Sequence, residues 1–301
     1  MSRPTVRIPA IVNVSSGTAD EARTALGNDE SFEVHEVEPD ALASTVRTLV
    51  TNGASRVLVA GGDGTIATAA ATLLETKAEL AVLPGGTLNH FARDLGISTD
   101  AAEAIALAVT GSTRGVDVGM VNGRIFLNTS SVGAYVRFVR VRESLERWFG
   151  YRLASALAAL RILFSLRRMG VEVVVDGQTR IYRSPLVFIG VGERDMQFPG
   201  LGQRIPSGRR GLHVIVVRGR SSARTLALGL AAVARGIGTV TRTPEFESFI
   251  VEELRIDMKG MGTVAVDGEI AHLTAPLRFE LRRDALAVVC PPLTAVTDAP
   301  G

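Results

Sequence analysis

Cysteine is nearly absent from this 301-residue chain: Cys290 stands alone, which excludes an intrachain disulfide and suits a reducing compartment. It lies in the apolar run "ALAVVC", the setting of a buried, inert thiol. Lysine is almost as scarce. Lys77 and Lys259 stand against thirty-one arginines, so nearly all positive charge rests on groups that never deprotonate. Such an excess follows coding composition, and with a formal charge of only +2 no nucleic-acid partner is expected. No Gly-Lys-Ser/Thr occurs, so a lysine-bearing phosphate loop is excluded. No window reaches the ~18 uninterrupted apolar residues of a membrane span; the nearest, "LASALAALRILFSL", is broken by Arg161. "MSRPTVRIPAIVNVSSG" lacks the apolar core of a signal peptide, and the expectation is a soluble protein or one that only touches a membrane. His35, His90, His213 and His272 show no metal-ligand spacing, and there is no Cys/His cluster. Internal repeats and low-complexity tracts are also missing.

What is present is a core's worth of apolar residues, 46%, on a chain long enough for two domains. The first 115 residues alternate strand and helix. "IPAIVNV", "SFEVHEV", "RVLVA" and "ELAVLP" read as strands. "TADEARTALG", "ALASTVRTLVTN" and "GTLNHFARDLG" read as helices with glycine at or after the end, and Asp100 and Glu103 start a further helix in capping-box spacing. Strands separated by helices predict a parallel sheet with ligands at the strands' carboxyl ends. After Asp117 the pattern turns strand-rich, in "GRIFLNTSSVG", "VEVVVDGQTRIYRSPLVFIGVG", "LHVIVVRG", "RIDMKGMGTVAVDGEIAHL" and "LRFELRRDALAVVC". Helical patterns interrupt it at about 143–168 and at "RTLALGLAAVARGIG". The expectation is an α/β nucleotide-binding domain over residues 1–115, which 286–296 could complete, and a mainly antiparallel β domain over 116–285.

Three glycine-rich turns carry the chemistry. In "RVLVAGGDGTIATAAATLL" a buried strand runs through Gly61, Gly62, Asp63, Gly64 and Thr65 straight into helical spacing. Three glycines in four residues leave the backbone nearly bare, so main-chain N–H groups can close around an anion at a helix N-terminus. A tight strand–helix turn that only needs glycine torsions reads the same way. "PGGTLN" supplies Gly86, Thr87 and Asn89 at the next strand end, and "NVSSG" supplies Asn13, Ser16 and Gly17 at the first. Together the three nests suit a nucleoside triphosphate, with phosphate held by backbone amides and arginines.

Here the sequence resembles the diacylglycerol/sphingosine-type lipid kinases, the bacterial soluble diacylglycerol kinases in particular. The motifs are "IVNVSSG", "GGDGT", "PGGTLNHFARDLGI", "VDVGMVNGRIFLNTSSVG" and "VDGE" before the terminal "LAVVCPP", in that order. "GGDGT" alone also occurs in NAD kinases. The resemblance implies a two-domain α/β plus β-rich fold with catalysis in the cleft between the domains, ATP and Mg2+ as cofactors, and a lipid alcohol, diacylglycerol first, as acceptor. Asp63, the only carboxylate inside the loops, is the candidate to hold magnesium, though an aspartate can simply bond its own turn. By the resemblance, Glu269 matches the proton acceptor and Asp267 its acidic neighbour; taken alone, "VDGEIA" is an ordinary Asp-Gly hairpin. Transient membrane contact at the inner face of a cytoplasmic membrane is implied, and homodimerisation stays open.

Several positions depart from that pattern. His90 stands where an aspartate is usual after Asn89, and Thr18 or Ala19 where some members are basic. Arg210, in "PSGRRGLHVIVV", replaces the aspartate of a structural magnesium site, which is therefore expected to be missing. Tyr135 in "VGAYV" stands in place of an acid that would meet a sphingoid amine. Arginines around Trp148, Phe149 and Tyr151 suit an anionic bilayer, or equally a helix packed on its own sheet. An NAD-kinase-like enzyme and a non-catalytic lipid-binding protein of the same fold remain the alternatives.

Overall fold

The computed structural model describes residues 7–74, 76–133, 141, 144, 169–175, 178–195, 202–217, 246–257 and 261–292. The chain forms two compact units, one of Met1–Val116 with Arg283–Gly301, the other of Asp117–Arg282. Apart from Ser144, the helical patterns at about 143–168 and 224–238, with Tyr135, Trp148, Phe149 and Tyr151, lie outside the described residues.

In the first unit, strands β1 (Ile8–Asn13), β2 (Phe32–Val37), β3 (Arg56–Gly61) and β4 (Glu79–Pro84) alternate with helices α1 (Ala19–Gly27), α2 (Leu42–Thr51) and α3 (Asp63–Leu73). The strands are all parallel, in the order β2-β1-β3-β4. Beyond β4, Val288 of the last strand, β16 (Leu277–Cys290), pairs with Leu80 in parallel. Central β3 buries Val57, Leu58, Val59 and Ala60 because successive residues point to opposite faces and helices cover both. On one face Leu58 and Ala60 pack with Ala22 and Leu26 of α1 and with Ala104 and Ala108 of α5 (Ala101–Thr110). On the other face, α2 and α3 lie against each other and bury Val46, Ile66, Ala69 and Leu73. The Asp100 carboxylate accepts the Glu103 amide at 3.0 Å, the N-terminal half of the capping box expected at α5.

One helix is shorter than its sequence pattern. "GTLNHFARDLG" is helical only over α4 (His90–Leu95), because Asn89 adopts left-handed torsions, φ 50° and ψ 45°. Its amide side chain brackets Gly86 instead: Oδ1 accepts from Gly86 N at 2.8 Å and Nδ2 donates to Gly86 O at 2.7 Å. At the other end α4 closes as expected, with Gly96 at φ 74° and Ile97 N bonded to Ala92 O.

Among its described residues the second unit is mainly strand, with Val141 and Ser144 helical. A six-stranded antiparallel sheet runs β12 (Phe246–Val251), β11 (Leu212–Val217), β10 (Leu186–Val191), β7 (Thr129–Gly133), β14 (Met261–Val266), β15 (Glu269–Thr274). A second antiparallel set holds the first residues of β16 with β13 (Glu253–Asp257), β8 (Met169–Val175) and β9 (Gln178–Ser184), and β16 also pairs with β5 (Ser112–Val121), the first strand of a hairpin with β6 (Arg124–Phe126). Their inner faces share one core, in which Val132, Val187, Ile189 and Val264 meet Val171, Val173, Ile256 and Phe279. No helix among the described residues is long and apolar enough to cross a membrane.

Candidate functional site

The strand order of the first unit reverses between β1 and β3: from β1 the chain goes to β2 on one side, then crosses to β3 on the other. In open parallel sheets the crevice at such a switch point, beyond the strands' carboxyl ends, is where ligands bind. The three glycine-rich turns follow β1, β3 and β4 and meet there. Asn13 Nδ2 donates to Thr65 Oγ1 at 2.8 Å, tying the β1 and β3 turns together, while Asn13 Oδ1 accepts from Ser15 N at 3.0 Å. Thr18 Oγ1 and Ser16 Oγ donate to Gly85 O at 3.0 and 3.3 Å, tying the β1 turn to the β4 turn. Gly85 N donates to Gly61 O at 2.8 Å and closes the set. The side chains therefore knit the turns to one another and leave the bare backbone facing outward.

That knitting depends on glycine at two contacts. A Cβ on Gly86 would stand 2.8 Å from the Gly62 Cα, and one on Gly85 would collide with the Thr18 hydroxyl. The result is an open depression of about 510 Å³. Asn13, Ser16, Gly17, Gly62, Gly64, Thr65, Gly86 and Thr87 line it, all named from the sequence, together with Ser15, Thr18 and Gly85, which were not. The missed residues sit inside the quoted runs "VSSGT" and "PGG"; only their neighbours in space show that they line the depression. Among the described residues no arginine lines it.

The floor is the N-terminus of α3. Its cap is Gly62, in extended torsions and with no side chain to satisfy the first-turn amides. Uncapped amides with the positive end of the helix dipole favour an anion. Asp63 begins that helix half-buried. Its Oδ1 accepts from Phe91 N at 3.3 Å, so it reaches across to α4 rather than bonding its own turn. Among the described residues its other oxygen has no hydrogen-bond partner, and an oxygen of this kind suits a hard cation, which takes oxygen ligands. Among the described residues no cluster of three or more metal-ligating side chains occurs, so a divalent ion here would have to share its coordination with a ligand's own oxygens.

Asp267 and Glu269 belong to the second unit. Asp267 is left-handed, φ 46°, at the β14–β15 turn. Its carboxylate accepts three amides of the segment before β7: Leu127 N at 2.7 Å and Asn128 N and Thr129 N at 2.9 Å. It is thus a clamp that fixes where the turn presents its neighbour. Glu269, 63% exposed, pairs with Arg124 at 3.1 Å. An exposed pair of this kind is worth about 0–1 kcal/mol, so the carboxylate can exchange partners at little cost. Arg210 holds Asp117, whose side chain is 1% exposed, through two parallel hydrogen bonds, Nε to Oδ2 at 2.8 Å and Nη2 to Oδ1. The guanidinium itself supplies the positive charge beside that buried carboxylate.

Fold and site together define a two-unit chain, α/β and antiparallel β, with a glycine-lined depression at the carboxyl ends of its parallel strands. A solved structure from Bacillus anthracis superposes with a TM-score of 0.75 at 23% identity, covering 96% of this chain and 98% of that one. Another, of a diacylglycerol kinase from the same organism, superposes at 0.68 with 19% identity. At these identities the likeness establishes the fold. Residues 7–121 match the family model of the diacylglycerol kinase catalytic domain, which bears out the resemblance seen in the motifs. The diacylglycerol kinase of Bacillus subtilis is 37% identical over 126 residues, 40% of this chain and 41% of that protein. A Pseudomonas aeruginosa protein named "Probable lipid kinase YegS-like" is 39% identical over 106 residues, 35% of this chain and 32% of its own. The chain thus spans less than half the length of these curated relatives in the matched stretch.

Proposed function

We propose that this protein transfers the γ-phosphoryl group of ATP to a lipid hydroxyl, with diacylglycerol as the acceptor and phosphatidic acid as the product. The observation that carries the reading is the convergence of three glycine turns on the uncapped N-terminus of α3, within a segment matching a diacylglycerol kinase catalytic domain. The triphosphate would lie over Gly62, Gly64, Thr65, Gly86 and Thr87, its oxygens taken by main-chain amides. Magnesium, held through the open oxygen of Asp63, would neutralise charge on the transferring phosphates. Asn13, Ser16, Thr18 and Asn89 act by fixing the turns. Glu269 accepts the acceptor hydroxyl's proton as the new O–P bond forms and ADP leaves, and Asp267 anchors the turn that carries it.

The lipid would be met at the cytoplasmic membrane surface by a protein otherwise in the cytoplasm. Labelled ATP offered with vesicles containing diacylglycerol, with other lipid alcohols, and with NAD decides among the readings. Label is expected in phosphatidic acid. Label in NADP favours the soluble-metabolite alternative, and ATP binding without transfer to any acceptor favours a regulatory lipid-binding protein.

A further inference from the structure

We infer that Glu38 reads the ribose of the nucleotide and makes the site selective for ribo- over 2′-deoxynucleoside triphosphates, an inference resting on the nucleotide reading above. Glu38 follows β2 directly, at the carboxyl edge of the sheet, beside the switch point. The chains leaving β1 and β2 stay paired past the strand ends, with Val14 N donating to Val37 O at 3.0 Å. Ser15, which lines the depression, donates its hydroxyl to Glu38 Oε2 at 3.3 Å. Glu38 is exposed, and that hydroxyl is its partner among the described residues; no cation pairs with it. The nearby Arg23 is held by Asp20 and Glu36, at 2.6 and 3.1 Å.

A lone carboxylate at the rim of an anion cradle is wrong for phosphate and right for hydroxyls. It only accepts hydrogen bonds, and a ribose offers two adjacent O–H donors. Like charges a few ångströms apart repel by several kcal/mol near a protein surface, so the phosphates must lie away from it. The fold supplies that separation. The phosphates belong at the α3 N-terminus, after β3, and β2 lies two strand spacings away, ~10 Å. A nucleotide laid from β3 across β1 brings its sugar over the end of β2. Dinucleotide sites on related parallel sheets use an acid at this strand end for the same diol. Ser15 then stands in for one ribose hydroxyl when the site is free.

The test compares ATP with 2′-deoxyATP, using the full chain and the best lipid acceptor, with ADP and 2′-deoxyADP binding measured by calorimetry. Losing a hydrogen bond to a charged group corresponds to about 10- to 100-fold. The wild-type protein is therefore expected to favour ATP by that factor in kcat/KM, mostly through KM. In Glu38→Ala, and less completely in Glu38→Gln, the ratio should fall toward one. Because Glu38 is exposed, both variants should fold. Equal use of the two nucleotides by the wild type, or an unchanged preference in Glu38→Ala, overturns the inference while leaving the kinase reading intact. A variant needing more magnesium with both nucleotides alike also overturns it, since the carboxylate would then serve a metal. If neither diphosphate binds the wild-type protein, the nucleotide reading itself fails, and this inference with it.

Discussion

Substituting Gly86 with alanine adds one methyl group at the closest approach of two turns. The new Cβ would sit 2.8 Å from the Gly62 Cα and 3.0 Å from Asn89 Oδ1. Carbon atoms pack at about 3.5–4.0 Å, so the turns must separate by about 1 Å. Neither side yields readily: Gly62 caps α3, and the Asn89 amide is bonded twice to Gly86. Overpacking of this kind costs about 1–3 kcal/mol. At about 2–4 °C per kcal/mol the melting temperature should fall by roughly 2–12 °C, leaving a folded protein. Function should suffer more, because a 1 Å misplacement of a binding group can cost about 100-fold. The assay is ATP binding by calorimetry and turnover with diacylglycerol vesicles, read beside thermal melts. Gly27→Ala is the control: a Cβ there meets nothing within 4 Å, and alanine at this last position of α1 should change stability by no more than about 1 kcal/mol. Gly86→Ala with an unchanged melting temperature and full ATP affinity would refute the claim that this contact shapes the cradle.

Other variants separate the remaining roles. Asp63→Asn keeps an acceptor for Phe91 N, so stability should change by no more than ~1 kcal/mol. Turnover should nonetheless fall by two or more orders of magnitude; near-normal kcat with an unchanged magnesium requirement would reduce Asp63 to tethering α4. Glu269→Gln should lower kcat by about 10²–10⁴ with ATP affinity nearly constant, and a fully active variant would return "DGE" to a plain hairpin turn. His213 predicts a pH effect on stability. Its Nδ1 accepts Arg194 N at 2.9 Å and its Nε2 meets Ser248 Oγ at 2.7 Å, which requires the neutral ring. Burial lowers its pKa, with Arg209 and Arg194 adding to the effect and Glu193 opposing it. The contribution is therefore complete above the unfolded value, ~6.5, and is lost as pH falls below that toward the folded one. Melts from pH 7.5 to 5 should show the loss, and His213→Gln should flatten it; an equal slope in both proteins would remove His213 as the cause.

Local features were legible because their causes are local. The strand Val57–Ala60 declares itself by a short apolar run between turn residues, and the start of α5 by Asp100 three positions before Glu103. Glycine runs after strands mark turns through the torsions and close approaches that only glycine permits. Contacts across the chain were not legible. A carboxylate's sequence neighbours say nothing of Asp63 reaching the α4 amide 28 residues on, or of Asp267 gathering three amides about 140 residues back. Asn89 misled the helix assignment for the same reason: its left-handed torsion is supported by bonds to Gly86, a preference of one turn that outweighs the helical pattern around it. The alternation of strands and helices, and the turns that carry the glycines, were determined by the sequence alone. Which hydroxyl holds which carbonyl, that Asp63 reaches Phe91, and that Glu38 stands beside Ser15 were decided only by tertiary structure, because strand order brings together residues that lie far apart in the chain.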